Sequence, residues 1–95
     1  MSVARNLTVE ERIRELLVSR LQVAPETLQG QDDPPLLGQG IGLDSVEAMV
    51  LATEVEAAFG IRFEDEEINS DLFQTLSALA NRVAAKQPLI EAQKS

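Results

Sequence analysis

The stretch GIGLDSVEAMVLATEVEAAFG, residues 40–60, decides the fold. It begins as a glycine-rich turn, passes through the pair Asp44-Ser45, and then runs from Ser45 to Phe59 without a glycine or proline. Asp is among the residues that best satisfy the unpaired N–H groups of a helix start, and Glu47 stands where a capping-box partner reaches back. Gly60 supplies the left-handed residue at which a helix stops. The spacing therefore predicts a helix over 45–59. Whether Ser45 merely starts that helix, attacks a substrate or accepts a modification is a separate question.

The same helix carries apolar residues on two nearly opposite faces. Ala48, Leu51, Ala52, Val55 and Phe59 form one stripe, and Val46, Met49, Val50, Thr53 and Ala57 form the other. Only one stripe can face a core fully, and the first has the larger side chains. That leaves Val46, Met49 and Val50 as an expected exposed apolar patch, edged by Glu47, Glu54 and Glu56, unless the preceding loop folds over it.

Working outward, Thr8-Val9-Glu10-Glu11 fits a capping box, and Val9, Ile13, Leu16, Leu17 and Leu21 recur at helical spacing. An amphipathic helix is predicted from Thr8 to near Leu21, with Pro25 forbidding much continuation. Residues 23–42 then make a connection of about twenty residues, longer than most, which points to a functional or partly ordered loop. Leu28, Leu36, Leu37, Ile41 and Leu43 are expected to pin it to the core. After Gly60, Ile61-Arg62-Phe63 leads into the acidic run EDEEINSDLF, 64–73, long enough for one or two helical turns. Thr75 is placed to cap a last helix, with Leu76, Leu79, Ala80 and Val83 as its apolar stripe, reaching about Lys86. The sum is an all-α, four-helix bundle with a long first loop and a short third helix. Its domain is expected over residues 8–87, with flexible ends at 1–7 and 88–95.

Composition narrows the chemistry. The chain of 95 residues has no Cys and no His, so disulfides, thiolate nucleophiles and zinc-thiolate sites are excluded, and the commonest general base is missing. No apolar run approaches the roughly 20 residues of a membrane span, and a soluble, cytoplasmic monomer is expected. The net charge is −8, which argues against nucleic acid as a partner. Its distribution is uneven: from Leu21 to Asn81 twelve acids face one base, Arg62, while the two ends together carry a net +3. A basic partner surface would be steered toward the central segment.

As a nucleophile Ser45 lacks a base. Asp44 is too weak to activate a hydroxyl, and the glycines of a nucleophile elbow are replaced by Leu43 and Glu47. The chain is therefore not expected to be an enzyme. Glu64, Asp65, Glu66 and Glu67 are consecutive, without the alternating ligands and central glycine of a calcium loop, and read as a solvated acidic face with no metal site. Asp44-Ser45 could be no more than a capping pair. If Asp44 caps, however, the Ser45 hydroxyl stays free at the positive end of a helix, where a phosphate-linked group is well tolerated.

GIGLDSVEAMVLATEVEAAFGIRF, followed by the acidic segment and LFQTLSALANRV, resembles the acyl carrier proteins and their peptidyl-carrier relatives, from Thr8 to about Lys86. The family's attachment motif, glycine, one or two residues, then Asp-Ser-Leu, appears here as Gly42-Leu43-Asp44-Ser45-Val46. The resemblance implies a bundle of acyl-carrier type in which Ser45 carries a 4′-phosphopantetheine arm, transferred from coenzyme A by a phosphopantetheinyl transferase, with Asp44 beside it. The arm would hold acyl groups as thioesters for acyl-loading, condensing and acyl-transfer enzymes with basic surfaces, in fatty-acid, lipid or polyketide synthesis. Partner recognition would fall to Val46, Glu47, Met49, Val50, Glu54 and Glu56. The family's acyl-chain pocket would be lined here by Leu51, Val55, Phe59, Phe63, Ile68, Leu72 and Leu76, a set that an ordinary core also predicts.

Two departures stand out. Val46 replaces the usual leucine, and Val50 and Ala57 occupy places where many fatty-acid carriers have acids, which implies more apolar and less ionic recognition. The alternatives are an aminoacyl or peptidyl carrier, and an unmodified interaction protein of the same fold in which Ser45 is only a cap.

Overall fold

The computed structural model describes residues 7–86, so the expected loose ends lie outside the described residues, apart from Leu7. Four α-helices occur in the order α1 Leu7–Ser19, α2 Pro25–Leu28, α3 Ser45–Phe59 and α4 Leu76–Lys86, with a 3-10 turn at Asp65–Glu67 between the last two. The architecture is the expected all-α carrier-type bundle. α1 packs against both α3 and α4.

The core is built from the predicted stripes. Ile13 and Leu17 of α1, Leu51 and Val55 of α3, and Leu76, Leu79, Ala80 and Val83 of α4 are fully enclosed. Each such branched side chain contributes about 1.5–3 kcal/mol on burial. Arg12 adds a polar clasp: its guanidinium lies 4.4 Å from the centroid of the Phe59 ring and donates to the Ala58 carbonyl at 3.3 Å. A cation over an aromatic face and beside the carbonyl end of α3 is favoured twice, by the ring quadrupole and by the helix dipole.

Two local expectations are revised. Because α1 begins at Leu7, Thr8 lies inside the helix and does not cap it, and the helix ends at Ser19 rather than near Leu21. Gln22 adopts a left-handed φ of 60°, and the Leu21 and Val23 N–H groups turn back to the carbonyls of Leu16 and Leu17, which closes the helix early. The short third helix, expected at one or two turns, is the single 3-10 turn. Beyond it, Asn69 Oδ1 accepts from the Asp71 and Leu72 N–H groups, a side-chain turn that competes with helical bonding. The chain still buries Leu72 and Phe73.

The long loop contains the unexpected α2, a single turn with Pro25 at its first position, where the missing N–H costs nothing. The rest of the loop is closely tied down. Leu28, Leu36, Ile41 and Leu43 are buried and Leu37 is partly so. Arg14 donates to the carbonyls of Leu28, Gln31 and Asp32. Leu37 and Leu43 form an isolated bridge, and Gly40 passes so near Pro35 that a Cβ there would collide with its carbonyl oxygen.

Candidate functional site

The start of α3 behaves as its sequence predicts. The Asp44 carboxylate accepts from the Glu47 N–H at 2.8 Å, and the Glu47 carboxylate accepts from the Asp44 N–H at 3.0 Å, completing the capping box. At the other end Gly60 takes a φ of 70° and its N–H bonds the Glu56 carbonyl. The loop delivers its last buried residue, Leu43, immediately before the cap, so Asp44 and Ser45 emerge from the core together. Ser45 is exposed, and its hydroxyl makes no hydrogen bond among the described residues. The capping work falls to Asp44 alone.

The two faces of α3 separate cleanly. Ala48, Leu51, Ala52, Val55 and Phe59 are buried, whereas Val46, Met49 and Val50 are 69%, 48% and 42% exposed. The loop does not fold over them. Met49 lies one helical turn beyond Ser45, on the same face. The acids around this patch all have intramolecular partners: Glu47 in the capping box, Glu54 with Arg20 at 3.6 Å, and Glu56 with the Phe63 N–H at 2.8 Å and Arg62 at 3.9 Å.

Leu51, Val55, Phe59, Phe63, Leu72 and Leu76 belong to one buried cluster, with Ile68 packed against it. The structure thus brings the seven residues together. Phe73, outside that expected set, is buried in the same cluster. The acidic run is less uniform than a solvated face would be. Glu64, Asp65 and Glu66 are exposed, but Glu67 receives Lys86 at 2.8 Å and Arg82 at 3.6 Å. The Lys86 hydrogen bond, then the Glu64 backbone bond, holds the Glu67 carboxyl below its ordinary value. Lys86 also sits 5.9 Å from the Phe63 ring centroid. Among the described residues no cluster of His, Cys, Asp or Glu has the arrangement to hold a metal ion.

One polar element escaped sequence reading. Asp33 accepts from both the N–H and the hydroxyl of Ser77, each at 2.7 Å, while Thr75 accepts from the Ala78 N–H as predicted. α4 therefore has a cap from its own sequence and a second from the loop.

A protein-family model described as the phosphopantetheine attachment site matches residues 11–83. The chain belongs to this family of carriers. Searches of curated proteins and of solved structures returned no significant match. Members carry a covalently attached 4′-phosphopantetheine. The residues present fit such a group: an exposed hydroxyl with no hydrogen bond among the described residues stands at a helix start whose cap is already supplied. No helix of the described residues is long and apolar enough to cross a membrane.

Proposed function

We propose that Ser45 is the attachment residue and that the protein is an acyl carrier serving fatty-acid, lipid or polyketide synthesis, with residues 8–87 as its working domain. The observation that carries this reading is the division of labour at α3, where Asp44 caps and the Ser45 hydroxyl is left exposed, with no hydrogen bond among the described residues. The Ser19 hydroxyl bonds the Glu15 carbonyl and that of Ser77 bonds Asp33, while Ser70, exposed like Ser45, stands in a turn and not at a helix start. In the loading step Ser45 Oγ forms a bond to the β-phosphorus of coenzyme A as the pyrophosphate P–O bond breaks. 3′,5′-ADP leaves with the electron pair, and the hydroxyl proton passes to a base of the phosphopantetheinyl transferase. Once attached, the group supplies a thiol that holds cargo as a thioester.

Val46, Met49 and Val50 form the docking face in this reading, with Glu47, Glu54 and Glu56 at its edge. Because those acids already have intramolecular partners, apolar contact carries more of the recognition than ion pairing. The cluster from Leu51 to Leu76 shelters the acyl chain by parting along α3, the 3-10 turn and α4.

The test is intact mass after incubation with coenzyme A, Mg²⁺ and a broad-specificity transferase. The wild type should gain the mass of one arm and Ser45→Ala none. No gain in the wild type, or an equal gain in both, overturns the proposal. Given acyl-coenzyme A and aminoacyl donors with their loading enzymes, the loaded protein should accept the acyl cargo. Preference for the aminoacyl donor would make it a peptidyl-type carrier instead.

A further inference from the structure

We propose that Asp33 is a positioning residue for the modification of Ser45, holding the loop that presents the serine. The inference rests on the reading of Ser45 as the attachment residue. A path of short contacts links the two. Asp33 is fixed to the first turn of α4 by two hydrogen bonds from Ser77, each 2.7 Å, and its neighbour Pro34 accepts from the Leu76 N–H at 2.9 Å. The segment just before is held to α1 through Arg14, which bonds the carbonyls of Gln31 and Asp32 at 2.9 Å. Residues 31–34 are thus fastened to α1 and α4 at once.

The next nine residues fold back on this anchor. The Ile41 N–H bonds the Pro35 carbonyl at 2.8 Å and the Leu43 N–H bonds the Leu36 carbonyl at 3.0 Å. Gly40 closes the turn where no side chain fits. Leu36, Ile41 and Leu43 then point into the core, and Asp44-Ser45 follow directly. A transferase must meet the serine oxygen in a narrow range of geometries, so any freedom in the segment leading to it is a cost at the moment of reaction. Removing the Asp33 carboxylate takes away both side-chain bonds that hold the loop to α4, leaving the single Leu76–Pro34 backbone bond and the packing of α1, α3 and α4 in place. The residue is 44 positions from Ser77 in sequence, and its link to α4 is purely tertiary.

The experiment compares the initial rate of mass gain with coenzyme A and the same transferase for the wild type, Asp33→Ala, Asp33→Asn and Val83→Ala. Asp33→Ala should fall about five- to tenfold in kcat/KM, the scale of one ordinary hydrogen bond, since the loop keeps its other ties and only part of the lost anchoring reaches the serine. Asp33→Asn, whose amide oxygen still accepts from the Ser77 N–H, should recover most of the rate. Val83→Ala, which weakens the core and leaves the latch intact, should keep the wild-type rate at a temperature where all four are folded. Amide exchange should quicken at residues 35–47 in Asp33→Ala and stay unchanged in the interiors of α1 and α3. Wild-type modification kinetics in Asp33→Ala overturn the proposal, as does a rise in exchange spread evenly over the helices. Failure of the wild type to gain mass overturns the Ser45 reading itself, and this proposal with it.

Discussion

Replacing Asp44 and replacing its neighbour Ser45 should have opposite consequences. Asp44→Ala removes the carboxylate that accepts from the Glu47 N–H, leaving only the bond from its own backbone N–H to Glu47, and is expected to cost about 1 kcal/mol, lowering Tm by about 4–8 °C in thermal unfolding. Ser45→Ala removes a hydroxyl with no hydrogen bond among the described residues, and Tm should stay where it is while modification is lost. The Asp44 cap was legible because its partner lies three positions away, inside the reach of a sequence motif. Asp33 was not legible in the same way. Two prolines and a neighbouring acid mark a turn in the sequence, but nothing local announces that its carboxylate will sit on the first turn of a helix over forty residues later.

At the scale of the element, α3 offers the sharpest contrast. Leu51→Ala should destabilise by about 2–5 kcal/mol, since it opens a void in the core, whereas Val50→Ala, one position away, should stay within about 0.5 kcal/mol. Denaturant unfolding of the two variants checks this directly. The division between the faces was readable from period and side-chain size, both properties of the helix itself. The third helix is held to one turn although its acidic and apolar residues would suit a longer one, because the competing Asn69 turn depends on backbone geometry that composition does not display. The link from that region to α4 brings a pH dependence. The folded Glu67 carboxyl titrates below its ordinary value of 4.5, so its stabilising contribution is complete above that value and is lost as pH falls through the lower folded one. Replacing Lys86 with Met should raise the Glu67 midpoint toward 4.5, as read from its side-chain carbonyl shift in an NMR titration.

For the whole molecule, the proposed docking face and the distribution of charge together predict that a partner's approach and its retention respond to different changes. The acidic centre creates a long-range field that speeds encounter with a basic surface and is screened by salt. The apolar patch beside Ser45 acts only on contact. Raising NaCl from about 0.05 to about 0.5 M should therefore slow association with the transferase much more than it speeds dissociation. Met49→Glu should do the reverse at fixed salt, and surface plasmon resonance resolves the two rates. Fold class and chain order were legible at this scale because the helical stripes, the caps and the carrier motif agree with one another. The path by which the loop is fastened was not, since it depends on contacts made only after the helices have packed.

The exposure of Val46, Met49 and Val50 has an evolutionary consequence as well. If these exposed side chains are the ones that meet partners, as we propose, they are not those that hold the bundle together, and mutation can rewrite one vocabulary without erasing the other. A lineage could drift from one set of enzymes to another through viable intermediates, each still folded. An engineer could follow the same route, transplanting three residues to redirect the carrier rather than rebuilding it.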